Sequence, residues 1–377
     1  MGDTSVKRKR NGNIELLRMV ATFMVIMLHL YGKSELLVPL SEDGSINAHL
    51  AAIFEAISIS CINIYVLISG YFLVTAKFKI GRLLELIFET MFYGVLVFAI
   101  AVATGLTSWG DMALNDRLKV IFPVHMGVYW YVSVYCIFYC MMPVLAAGVR
   151  AIGKKAHLVV IWLMLIYISI FKSIVPFRPG IEDNGYSIEW FLTLFLVAAY
   201  MRLYGIKWLD SYKKGLAVFA GATALIYLEY FAIQMVLKYT GKLNFISTVS
   251  YHYNHIFVLL AAMGLFAAFV NMKEMGDGMA KIVCALSPMT LGIYLFHEHE
   301  LIRFEWQKWL HVNDLSDYNP VMFILASFGI CLSVYLIGTA VDFVRIQLFK
   351  LCKLAISKTK LAYYMKNIDN AVNNGTN

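Results

Sequence analysis

Apolar runs long enough to cross a bilayer recur at about 14–31, 50–75, 83–104, 126–147, 157–175, 188–205, 215–237, 254–271, 280–297 and 320–344. Each is near the roughly 20 residues that a spanning helix requires. These ten windows predict an all-α polytopic membrane protein. The first is interrupted by polar residues in a helical rhythm. Within ELLRMVATFMVIMLH, Arg18 and His29 stand eleven residues apart, which is about three helical turns, so both fall on one face about 16 Å apart along the axis. Thr22 lies on that face too. A cation and a titratable imidazole in hydrocarbon cost several kcal/mol each unless they face protein or water.

Composition agrees with the windows. Of 377 residues 60% are hydrophobic and 15% charged, with a mean hydropathy of +0.69, values outside those of soluble domains. The net charge of +8 does not imply a nucleic-acid partner, because the basic residues sit in short connections between apolar runs. With a cytoplasmic N-terminus, inside segments hold 22 Lys and Arg and outside segments 9, which predicts that both termini are cytoplasmic. The expected organisation is a basic N-terminus over 1–13, a ten-helix domain over 14–344 and a basic amphipathic tail over 345–377. That tail carries LFKLCKLAISKTKLAYYMK and is expected to lie along the anionic inner leaflet, with a disordered Asn-rich end. The six cysteines fall in or beside apolar runs and form no disulfide framework.

Several places carry candidate chemistry. Glu15 stands three residues before Arg18 as an ion-pair partner. Ser69 and Gly70, in VLISGYFLV ahead of Lys79 and Arg82, predict either close helix packing or a local opening that holds an anion such as a phosphate. Trp130 and Tyr131 open the fourth run as an interfacial belt or a platform for a sugar ring. The ninth run ends in YLFHEHE, which puts His297 on the same outer side as His29. His252, His255, His297 and His299 lack HExxH spacing, so no metal site is expected. Glu229 and Asp342 sit in or near apolar runs without identifiable partners.

Four motifs together, Arg18 to His29 within IELLRMVATFMVIMLH, the VLISGYFL end of the second run, YWYVSVY with MMP in the fourth, and YLFH at Tyr294 to His297, resemble the membrane acyltransferase family three. The resemblance spans about residues 10 to 345. It implies a ten-helix plasma-membrane O-acyltransferase that moves an acetyl group from cytoplasmic acetyl-CoA to a hydroxyl of an exopolysaccharide, capsule or other envelope glycan, alongside polysaccharide-biosynthesis proteins. By that likeness Arg18, Glu15, Ser69, Lys79 and Arg82 serve the CoA donor. His29 acts as base or acyl carrier with His297, and Trp130, Tyr131 and Tyr294 serve the acceptor. The family usually has Asp at Glu15 and paired arginines where this chain has Lys79 and Arg82. No appended hydrolase-like domain is expected. The rival expectation is a transporter or flippase of a lipid-linked glycan that uses the same polar stripe as its path.

Overall fold

A helix that is apolar on all sides satisfies its own backbone hydrogen bonds and leaves no face for water, so it settles in lipid or inside a bundle. The structure, a computed structural model, describes residues 10–174 and 183–374. Its elements are α1 (Gly12–Gly32), α2 (Ile46–Ser58), α3 (Cys61–Leu73), α4 (Ile80–Ala103), α5 (Leu114–Ile121), α6 (Trp130–Ala151), α7 (Gly153–Leu165), a π turn (Ile166–Ile170), α8 (Phe171–Ile174) and α9 (Ile188–Tyr204). There follow α10 (Tyr212–Thr240), α11 (Ile256–Val270), α12 (Asp277–Leu286), α13 (Thr290–His297), α14 (Glu305–Trp309), α15 (Pro320–Ile356) and α16 (Lys360–Asn374). Among the described residues nine stretches are long and apolar enough to span a membrane. The remaining expected window is α9, whose 17 residues give about 26 Å, close to the hydrocarbon thickness. The protein is therefore a multi-pass, all-α membrane protein.

The element with the polar stripe is the hub. α1 packs against α2, α3, α11, α12, α13 and α15, and Leu17, Ala21, Ile26, Leu30 and Tyr31 have no exposed surface. α15 behaves oppositely, with Leu325, Leu332, Leu336, Ile337, Phe343 and Val344 half or more exposed in a row that suits lipid. α10 and α11 approach through glycine: a Cβ on Gly215 would lie 2.7 Å from the Gly264 carbonyl oxygen. Small residues at a crossing let two backbones meet this closely.

The structure corrects several expectations. The window 50–75 is two helices, α2 and α3, parted at Ile59 and Ser60. The ninth window is broken over Ser287–Met289, because Pro288 has no N–H to continue the ladder. The last span runs on to Ile356, and the Asn-rich end is helical in α16 as far as Asn374, with 375–377 outside the described residues. Of the basic N-terminal cluster only Arg10 lies within the described residues. Asp342 and Glu229 both have partners. Arg345 donates to Asp342 through Nε and Nη2 at 2.9 and 2.8 Å, lies 3.1 Å from Glu89, and Tyr93 donates to Asp342 at 2.8 Å. His255 faces Glu229 at 3.1 Å.

The Arg345 cluster ties α4 to α15 with hardly any water contact, and Gly292 of α13 has no room for a Cβ beside the Asp342 carboxylate. Breaking a buried pair from one side leaves an uncompensated charge. Asp342→Ala is therefore expected to cost about 3 kcal/mol or more, read as a lowered thermal midpoint of the detergent-solubilised protein. A midpoint equal to wild type would refute that role.

Candidate functional site

The start of α1 is capped by Asn11, whose side chain accepts from the amides of Asn13 and Ile14. One turn in, Glu15 accepts from Arg10 Nε at 3.0 Å and from Ser287 Oγ at 2.6 Å, and lies 3.7 Å from Arg18. Glu15 thus clamps α1 to the Pro288 turn and holds Arg18 in place, and lines neither cavity described next. The Thr22 and Tyr65 hydroxyls touch each other and converge on the Arg18 carbonyl oxygen. The Arg18 guanidinium is left to face open space.

That space consists of two adjoining cavities. The outer one, about 340 Å³, is lined by Arg18, Ser69, Arg82, Glu85, Glu89 and Tyr139 among others. The inner one, about 180 Å³, shares Arg18, Ser69 and Tyr135 and continues past Tyr65 and Tyr131 to Tyr294. Ser69 and Arg82 are thus brought to one cavity with Arg18. Gly70 does not open the backbone, since α3 is continuous there and a Cβ would lie 3.0 Å from Ala198 Cβ. Lys79 is exposed beside the mouth without lining it, its amide donating to the Tyr139 hydroxyl at 3.2 Å.

His29 lies at the far end, behind Tyr294, with ring centroids 6.4 Å apart. The hydrogen bonds around it assign its tautomer. His297 Nδ1 is 2.6 Å from the Ile293 carbonyl oxygen, which can only accept, so that nitrogen carries the proton and Nε2 presents its lone pair. Nε2 faces His29 Nδ1 at 3.0 Å, and the Glu298 carboxylate approaches the same nitrogen at 3.2 Å. The His297 lone pair on Nδ1, with the Glu298 carboxylate close by, places the His29 proton there and leaves Nε2 as the basic nitrogen. Gln307 donates to the His29 carbonyl oxygen at 2.8 Å, so the segment after α13 folds back over this end.

Glu298 is the hub that the sequence reading passed over. Besides His29 it pairs with Lys33 and lies 3.8 Å from Arg303. Burial raises its pKa against the pull of those cations, and burial lowers that of Lys33. His299 packs edge-on to Tyr129, and burial with the Arg303 charge pushes it down to about 4. The signal lies in the HEHE string, which sets a carboxylate one residue beyond a histidine. Among the described residues no group of three or more His, Cys, Asp or Glu side chains is arranged to hold a metal ion.

The aromatic pair opening α6 divides. Tyr131 turns inward to the inner cavity, whereas Trp130 packs against Tyr186 at 4.5 Å and Tyr253 at 5.8 Å and lines neither cavity. The Tyr294 hydroxyl is buried without a hydrogen-bond partner among the described residues, a group placed to donate to something that arrives.

A family model described as an acyltransferase domain, acyltransferase family 3, matches residues 11–340. No curated protein and no solved structure matches the chain.

His299 supplies a pH test. Its folded pKa near 4 lies below the unfolded value of 6.5, so the unfolded chain takes up a proton first as pH falls. Stability conferred by neutral His299 is complete above pH 6.5 and is lost toward pH 4, at about 1.4 kcal/mol per unit. The thermal midpoint is expected to drop across that window, and His299→Gln to flatten the drop. An unchanged slope in that variant would contradict the assignment.

Proposed function

Since the chain belongs to acyltransferase family 3 and crosses the membrane many times, we propose that it moves an acetyl group from acetyl-CoA to a hydroxyl of a cell-envelope polysaccharide. What supports the reading is the pair of adjoining cavities that run from Arg82 past Arg18 to Tyr294, against whose far side His29 packs. A long thin donor with a phosphate-bearing head and a reactive thioester tail suits that shape. Arg18 and Arg82, with Lys79 at the rim, hold the CoA phosphates by charge-assisted hydrogen bonds. The pantetheine arm lies along α1 beside Ser69, Tyr65 and Tyr131. On the distribution of basic residues, the Arg18 end is cytoplasmic and the His29 end faces out.

The chemistry follows from the tautomer. His29 Nε2 takes the proton of the sugar hydroxyl as its oxygen attacks the thioester carbonyl. The resulting imidazolium is stabilised by Glu298 on Nδ1, in the manner of a carboxylate behind a catalytic histidine. Tyr294 donates its unpartnered hydroxyl to the oxyanion of the tetrahedral intermediate. Collapse breaks the C–S bond, and the proton on Nε2 passes to the departing CoA sulfur. His297 is a positioning residue, because its only exchangeable proton is committed to the Ile293 carbonyl. Trp130 stands with Tyr186 as an aromatic surface against which a sugar can stack.

Inverted vesicles supplied with labelled acetyl-CoA test the reading. Label is expected in envelope glycan, is lost in His29→Ala with insertion unchanged, and falls about 10²-fold in Glu298→Gln. Arg82→Gln is expected to raise the KM for acetyl-CoA about tenfold with little change in kcat. Movement of unmodified glycan with no label incorporated would replace the enzyme by a transporter.

A further inference from the structure

The start of α4 is covered by the other end of the chain. α4 begins at Ile80 without a capping side chain of its own, yet three successive amides there are each bound by a side chain from elsewhere. Phe78 N donates to Asn373 Oδ1 at 2.9 Å, Lys79 N to the Tyr139 hydroxyl at 3.2 Å, and Ile80 N to Asp369 Oδ1 at 2.7 Å. Asn373 also returns a bond from Nδ2 to the Phe78 carbonyl at 3.0 Å. Two of the three acceptors belong to α16, and a Cβ on Gly81 would lie 3.1 Å from Met365 Cε. Met365, Asp369 and Asn373 recur every four residues, so one face of α16 covers residues 78–81.

This seat adjoins the donor mouth. Tyr139 lines the 340 Å³ cavity with Arg18 and Arg82 and also a small cavity that Asn373 shares with Lys77 and Arg150. Asp369 brings a carboxylate to the amide between Lys79 and Arg82, the stretch whose positive charges, on the reading above, meet the donor phosphates. An anion there is favoured by the helix end as well as by the side chains.

The contact is made by an exposed helix. No residue of α16 is buried, and a turn at Ser357 to Thr359 joins it to α15. Leu361, Tyr364 and Ile368, spaced for one helix face, are about half exposed beside Lys360 and Lys366. An apolar stripe flanked by lysines suits an anionic lipid surface, so the detached helix has somewhere to go.

We propose that α16 is a detachable cap on the donor mouth, seated by Asp369 and Asn373 on residues 78–80 and displaced by the phosphates of the incoming acyl-CoA. The idea rests on the donor reading and goes beyond it, because it makes donor affinity depend on the last turns of the chain. A cap seated in about nine molecules of ten would weaken apparent affinity about tenfold.

The test uses the full chain in nanodiscs, with CoA as probe, comparing wild type, Asp369→Asn/Asn373→Ala and Arg82→Gln. Expected are about tenfold tighter CoA binding in the double variant, weaker binding in Arg82→Gln, and, in wild type, CoA-induced protection of amides 78–82 with faster hydrogen exchange over 360–374. If Arg82→Gln weakens binding while the double variant matches wild type, or if CoA slows exchange in 360–374, the cap is refuted and the donor site stands. If no form binds CoA, the donor reading falls and takes the cap with it.

Discussion

Ionised groups inside an apolar bundle must be met by protein, and that requirement orders this structure. Arg18, Glu15 and His29 lie on one helix that lipid would accept only without them. α1 therefore occupies the centre, with six helices around it. Its ionisable groups are met by distant parts of the chain, Glu15 by Ser287 and His29 by His297 and Glu298, while Arg18 lines the cavities. The same demand explains Arg345, which meets Asp342 one turn back on its own helix and Glu89 across on α4. Where the desolvation cost is offset in this way, the polar groups fix which helices neighbour which.

What the sequence made legible is what a single helix contains. Arg18, Thr22 and His29 shared a face by spacing alone, and the apolar windows matched the observed spans because backbone hydrogen bonding in lipid leaves a helix as the only open choice. The breaks were less legible. Pro288 marks its interruption plainly, but the parting of α2 from α3 has neither Pro nor Gly, only small residues around Ser58, Ser60 and Cys61.

Pairings between helices were not legible. Glu298 and His29 are 269 positions apart, and no local pattern says that the segment after α13 folds back. Trp130 and Tyr131 show the limit of an argument from residue type: neighbours on one helix point about 100° apart, so one joins the inner cavity and the other an aromatic cluster. The lysines of the tail suit a lipid surface, but nothing in its own sequence announces that Asp369 and Asn373 bind the backbone of Ile80 and Phe78 at the start of α4. Glu15 likewise acts through position rather than by facing the open space.

The inner cavity stops at the Tyr294 ring, with His29 immediately beyond. A wet channel open at both faces would let protons run down whatever gradient the host membrane maintains, and an acid–base histidine along it would make a ready relay. In this structure the Tyr294 ring stands between the inner cavity and that histidine.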